Sequence, residues 1–245
     1  MQDYKNLQLP SRCLVYKGKN PGDIKVRPIK GKDEKLIVSF GREEFTRRFF
    51  ELLKNNGILQ GIDPVELTVG DSRYVLLWLI LQTNPRDFTQ EISCEGCRQL
   101  IRVDVCLSTL DSYDLPDDFC EPYTIKFSNG DKIGLRLFRV EDELKIEERK
   151  QTSEDWWLFR WALCMVDERN IDERIAYLGE FDVKDLSKIR AFHSKFFHGP
   201  AMEARVECSV CETQKFAEVP FCPEMIFPAN KARPAHTRRV INDRG

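Results

Sequence analysis

The spacing of apolar side chains changes period several times along this chain, and each change predicts an element. Over residues 42–55, Phe45, Phe49, Leu52 and Leu53 recur on one helical face, and Gly57 predicts a stop. Residues 75–81 are apolar almost all round, so they read as a buried central helix. Asp71 or Ser72 is its expected cap and Asn84-Pro85 its end. Residues 141–151, 156–166 and 171–178 also read as helices. Asp182 is placed to cap another from 183 to about 197, with Leu186, Ile189, Phe192, Phe196 and Phe197 inward and Gly199-Pro200 as its breaker. Strand-like runs at 24–29 and 36–40, around a polar turn, suggest a hairpin. Runs at 122–127 and 132–138 suggest a second, because Asn129-Gly130 between alternating segments favours a tight turn.

Two cysteine pairs interrupt this pattern in the same way. Cys94-Glu95-Gly96-Cys97 lies between strand-like runs at 91–93 and 100–105, and Cys208-Ser209-Val210-Cys211 between runs at 204–207 and 215–219. Each follows a helix and a breaker, an internal echo too divergent in sequence to be named a repeat. Four thiolates in two C-x-x-C pairs suit a closed tetrahedral zinc site. One structural zinc shared by Cys94, Cys97, Cys208 and Cys211 is therefore the first expectation. A redox or disulfide role, or an iron–sulfur cluster, ranks below it. Thioredoxin-like C-x-x-C motifs sit at a helix N-terminus, which lowers the thiol pKa, whereas these sit between strands. Against a compact ribbon stands the separation of 110 residues between Cys97 and Cys208. In its favour, an ion closing so long a loop can replace missing core.

The chain has 245 residues, enough for one large domain or two small ones. The predicted class is α+β: a helical core, small antiparallel β elements and a bipartite zinc-ribbon-like knuckle pair. Residues 1–23, polar and broken by Pro10, Gly18, Pro21 and Gly22, read as an extended arm. Residues 24–222 form the core, with a hairpin-containing insertion at about 108–140. Residues 223–245 carry three prolines and Lys231, Arg233, Arg238, Arg239 and Arg244, and read as an extended basic arm.

Composition narrows function mainly by exclusion. The net charge of −2 mixes both signs and gives no global reason to expect nucleic acid or an anionic membrane. The longest apolar run, seven residues, is far below the roughly 20 that a membrane helix needs. No signal-peptide core opens the chain, so a cytoplasmic site of synthesis is expected. Nine cysteines, an odd number, argue against a fully paired secreted framework. Cys106 and Cys222 are weak candidate substitute ligands. His193, His198 and His236 share no spacing with acidic pairs, and there is no phosphate loop or nucleophile elbow. The expectation is a non-enzymatic protein without a small-molecule substrate. Trp156, Trp157 and Trp161 are candidate partner contacts, since aromatics enrich interface hot spots; Arg233, Arg238 and Arg239 are the others. A zinc-ribbon nucleic-acid binder is the first rival, using Arg98, Arg102, Arg205 and Lys215, although Glu91, Glu95, Glu207 and Glu212 offset that charge. A redox-sensitive thiol protein is the second.

One stretch is more specific. Leu67-Thr68-Val69-Gly70-Asp71-Ser72-Arg73-Tyr74 leads through Leu76-Leu77-Trp78-Leu79 into Cys94 and Cys97, followed by Leu115-Pro116, the Asn129-Gly130 hairpin, a helical segment and the late Cys208 and Cys211. This order resembles the T-even-type baseplate hub subunit family of contractile-tailed phages, also described as baseplate hub assembly proteins. The likeness covers about residues 24–222. It implies a non-enzymatic part of a phage tail baseplate, retained in the virion or acting as a chaperone during hub assembly. Its implied partners are other baseplate and tail proteins, and it supplies no catalytic residues.

Overall fold

The computed structural model describes residues 4–41, 44–83, 87–220 and 226. It is mixed α+β, with small antiparallel sheets among helices. The chain runs through one series of elements and then a closely parallel second series. The first comprises β1 (Lys5–Asn6), β2 (Lys25–Val26), α1 (Gly31–Val38), α2 (Phe45–Asn55), β3 (Leu59–Gln60), α3 (Val69–Thr83), β4 (Phe88–Ser93) and β5 (Leu100–Val105). A short strand, β6 (Ser112–Tyr113), intervenes. The second comprises β7 (Tyr123–Lys126), β8 (Lys132–Leu135), α4 (Val140–Thr152), α5 (Trp156–Leu163), β9 (Met165–Val166), α6 (Ile171–Gly179), α7 (Val183–Lys195), β10 (Gly199–Pro200), β11 (Glu203–Glu207) and β12 (Gln214–Glu218).

The correspondence extends to register and buried polar contacts. In the first half, Val26 pairs with Lys5 and Leu59; in the second, Leu135 pairs with Tyr123 and Met165. Just after these central strands, Arg27 N–H donates to Ile58 O and Arg136 N–H to Cys164 O. The Arg27 guanidinium grips Asp33 and the Arg136 guanidinium grips Asp142, each through two N–H groups. Each aspartate also accepts the backbone N–H at the start of the next helix, from Lys30 and Arg139. A carboxylate there satisfies an orphan donor and suits the positive end of the helix. In the helix that leads to each cysteine ribbon, α3 and α7, Asp71 accepts from Ser11 N–H and Asp185 from Ser128 N–H, each at 2.9 Å. The echo seen in the sequence around the cysteines therefore runs through both halves.

These contacts explain several departures from the expected elements. Residues 36–40 are not a strand: α1 occupies most of them, because the Arg27–Asp33 pair nucleates a helix at residue 31. This overrides the β preference of Ile37-Val38, since strand propensity depends on context. The cap of α3 is Thr68, whose hydroxyl accepts Asp71 N–H at 3.1 Å, rather than Asp71 or Ser72. Helix α5 stops at Leu163, and Met165–Val166 instead joins β8. The α2 stripe, the Asn129-Gly130 hairpin and the Asp182 cap of α7 match the expected positions.

Two apolar clusters hold the halves. One gathers α2, α3, the first sheet and both cysteine ribbons, with Phe45, Phe49, Leu76, Leu79, Val103, Val206 and Ala217 buried. The other spans Leu115 to Phe196, with Phe127, Leu135, Ile146, Ile189 and Phe192 buried. The part expected as a hairpin-bearing insertion at 108–140 thus belongs to a larger body with its own core. The N-terminal arm is also corrected. Leu7, Leu9, Cys13 and Tyr16 are buried in the first cluster, and Tyr16 Oη donates to the buried Asp71 at 2.5 Å. Of the proposed C-terminal arm only Ile226 is described, and it is buried in the first cluster; Arg233, Arg238 and Arg239 lie outside the described residues.

Candidate metal centre

Each cysteine knuckle is built by its own hairpin. In the β4–β5 hairpin, Ser93 pairs with Leu100, and the chain reverses across residues 94–99. Cys94 N–H donates to Gln99 O and Arg98 N–H to Cys94 O, both at 2.8 Å. In the β11–β12 hairpin, Cys208 N–H donates to Thr213 O and Glu212 N–H to Cys208 O, both at 2.9 Å. Arg98 and Glu212 both take positive φ, 58° and 61°. This left-handed residue after the second cysteine turns both sulfurs of a knuckle to the same side. A non-glycine residue there costs on the order of 1 kcal/mol, which the two hydrogen bonds of each turn offset.

The hairpins then face one another. Lys215 Nζ donates to Ser93 O at 2.7 Å and Gln90 Nε2 to Glu218 O at 2.8 Å, tying each ribbon to the other. All four sulfurs, of Cys94, Cys97, Cys208 and Cys211, come within 4.8 Å of one another. Cys94 Sγ lies 3.6 Å from Cys211 Sγ, and Cys97 Sγ lies 3.8 Å from Cys208 Sγ. Both close approaches cross between knuckles. A zinc–sulfur bond of about 2.3 Å implies tetrahedral edges of about 3.8 Å. A disulfide requires about 2 Å. The sulfurs are therefore spaced for an ion rather than for disulfide bonds, and the residues present fit a four-thiolate zinc site.

Hydrogen-bond donors reach two of the sulfurs. Val210 N–H donates to Cys208 Sγ at 3.4 Å, and Thr213 Oγ1 lies 3.2 Å from Cys211 Sγ. The Thr213 hydroxyl, followed by the Thr213 backbone N–H, draws the Cys211 thiol down to about 6. At Cys97 the Gln99 backbone lowers the pKa, but burial and the other three sulfurs outweigh it and raise it to about 11. Four close thiols do not ionise together unaided. A divalent cation removes that penalty and takes all four as thiolates. Cys94 and Cys208 are buried, whereas Cys211 is exposed, so the site has a closed inner side and an open outer edge.

The remaining candidates are spread apart. Cys106 lies beside Ser108 Oγ at 3.2 Å, outside the four-sulfur group, and Cys222 lies outside the described residues. Burial pushes the Cys164 thiol up to about 12. Trp156 lies beneath the Lys150 ammonium, and Trp161 packs with Phe138 and His193. Only Trp157 of the three is largely exposed, at 42%. Of the basic set near the knuckles, Lys215 holds Ser93 O and Arg205 holds Gln214. Gly96 and Thr213, which let the knuckles meet, carried no sequence signal of their own. No described helix is long and apolar enough to cross a membrane. No protein-family model, curated protein or solved structure matches the chain.

Proposed function

We propose that this chain is a non-enzymatic structural or assembly component of a contractile phage tail baseplate, in its hub or wedge region, stapled by one zinc ion. The observation that carries the reading is the convergence of four cysteine sulfurs from the two halves of the chain. A closed four-thiolate site leaves no open coordination position for catalysis and adds its binding free energy to folding. Such a clamp suits a part that must keep its shape under mechanical load. The baseplate assignment itself rests on the order of motifs from Leu67 to Cys97 and on the late Cys208 and Cys211. On this reading the protein is made in the host cytoplasm and joins the tail. It binds neighbouring baseplate proteins through its core surface, where Trp157 is exposed, and through the basic segment carrying Arg233, Arg238 and Arg239.

The zinc reading is tested by elemental analysis of the purified chain together with a free-thiol count. One zinc per chain, released by a chelator as four thiols become reactive, is expected. Cys94→Ser or Cys208→Ser should lose the metal and lower the melting temperature, and full metal content with unchanged melting would sink the clamp. The baseplate reading is tested by tagging the chain in infected cells. Recovery with tail intermediates supports it. A tagged chain that complements infection yet never co-sediments with baseplate or hub intermediates counts against it.

A further inference from the structure

A cleft of about 150 Å³ opens where the start of α3 meets the second half of the chain. Its walls include Arg73 from α3, Glu143 from α4, Arg160 from α5, and His193 and Phe197 at the end of α7. Three nitrogen-bearing groups there have unmet hydrogen-bonding capacity. Arg73 is partly buried and, among the described residues, makes no hydrogen bond or ion pair. Arg160 Nε and His193 Nε2 are buried without a hydrogen-bond partner.

A guanidinium is always charged at neutral pH, and leaving one partly buried and unpaired is costly. Burial lowers the pKa of Arg73, and the Glu143 and Glu218 carboxylates, which act to raise it, do not make up for it. Arg160 is held by stacking, 5.1 Å from the Phe138 ring centroid and 5.4 Å from that of Trp161. Its one ion pair among the described residues, to Glu143, is long at 3.9 Å. The His193 ring stacks on Phe138 at 4.3 Å and 11°. The aromatic groups thus fix the orientation of Arg160 and His193 while leaving Arg160 Nε and His193 Nε2 without a hydrogen bond. A preset fork of this kind matches a planar oxyanion.

We infer that this cleft binds a carboxylate, held between the Arg73 and Arg160 guanidinium groups with His193 Nε2 as a further partner. Charge narrows the ligand class. Two guanidinium groups face the Glu143 carboxylate on the same walls, and Glu218 also acts on Arg73, so the positive excess is small and suits a monoanion. A phosphate dianion would overfill it and meet Glu143. The volume admits one carboxylate with a short stem, and the half-exposed Phe197 at the rim suits an apolar neighbour. Either a free small carboxylate or the carboxylate end of a partner polypeptide carries this chemistry. The site stands on different residues from the cysteine centre and does not depend on the metal or baseplate readings. Because its walls come from both halves, occupancy should stiffen the seam between them.

The test is isothermal titration of the full, metal-containing chain at constant ionic strength. The probes are sodium acetate, N-acetyl-glycyl-phenylalanine as the free acid, the same dipeptide as the amide, and inorganic phosphate. Saturable binding of a carboxylate, with the amide silent, is expected. Acetate alone binding identifies a free small carboxylate as the natural type of ligand; tighter binding of the dipeptide acid identifies a polypeptide end. Arg73→Met and Arg160→Met should each weaken binding on the order of tenfold or more, as for loss of a charge-assisted hydrogen bond. Equal response to acid and amide, phosphate binding tighter than either carboxylate, or unchanged affinity in both variants would overturn the assignment.

Discussion

Gly96 and Thr213 meet where the two knuckles touch: a Cβ on Gly96 would stand 2.5 Å from Thr213 Oγ1, and only 3.3 Å from Cys211 Sγ. The same hydroxyl lies 3.2 Å from that sulfur. Thr213 is therefore fixed between the Cys211 sulfur on its own knuckle and the backbone of the other. The missing side chain at position 96 permits the sulfur-to-sulfur distances.

Gly96→Ala should push the knuckles apart. Overpacking of this kind costs about 1–3 kcal/mol, and here it also lengthens the edges between Cys94 and Cys211. Lower metal affinity and a lower melting temperature are expected. Thr213→Ala alone should raise the Cys211 thiol pKa, since its largest lowering influence is that hydroxyl. Combined with Gly96→Ala it should relieve part of the clash. A double-mutant cycle with strictly additive losses would show that the two residues do not press on each other.

Metal removal should loosen the molecule unevenly. Both ribbons pack in the first cluster, with Val103, Val206 and Ala217, while Phe127, Leu135, Ile189 and Phe192 lie in the second. On chelation, amide exchange should rise across Phe88–Ser93, Leu100–Val105 and Glu203–Glu207. Protection across Tyr123–Lys126, Lys132–Leu135 and Val183–Lys195 should persist. Uniform loss of protection would mean that the two clusters unfold as one unit and that the ion supports both.

The paired arginine–aspartate contacts make a graded prediction. Arg27 and Asp33 side chains are both 0% exposed, whereas Arg136 retains 25% beside a fully buried Asp142. Removing one partner of a buried pair costs about 3–5 kcal/mol, because the other charge is left stranded. Asp33→Ala should therefore unfold the chain more readily than Asp142→Ala, since Arg136 can still reach water. Replacing both partners, as Arg27→Met with Asp33→Leu, should recover much of the loss. Denaturant titration of the three variants checks the order.

These pairs also mark where the sequence could be read and where it could not. The knuckles were legible because short-range spacing defines them: two residues between cysteines, and strand-like runs on either side. Helices α2 and α7 were legible from a single apolar face. The Arg27–Asp33 pair was not, because its six-residue spacing has no meaning until β2 and α1 bring the groups together. Residues 1–23 read as an arm because Leu7, Leu9, Cys13 and Tyr16 follow no period. Each instead fills a separate gap in the first cluster, and Tyr16 reaches Asp71 across 55 positions of sequence. The repetition of the fold was visible only around the cysteines. Elsewhere it survives in contacts such as Ser11 with Asp71 and Ser128 with Asp185, which few residue identities reveal.

His193 should give the folded state a specific acid sensitivity. Burial, then the nearby Arg160 and Arg136 charges, pushes its pKa down to about 3 from an ordinary value of 6.5. The groups packed on it are Phe138, Trp161 and Phe192, none of which accepts a proton. The unfolded chain therefore takes up this proton first as pH falls. The stability contributed by the neutral ring is complete above about pH 6.5 and is lost progressively toward pH 3, with a slope of at most about 1.4 kcal/mol per pH unit. His193→Gln cannot titrate, so its stability should fall less steeply over that window. Every other group is shared by the two proteins, so the difference between the two curves isolates the histidine. Denaturant midpoints measured from pH 7.5 to 4 supply the comparison. Parallel curves would mean that His193 is protonated as easily in the folded chain as in the unfolded one.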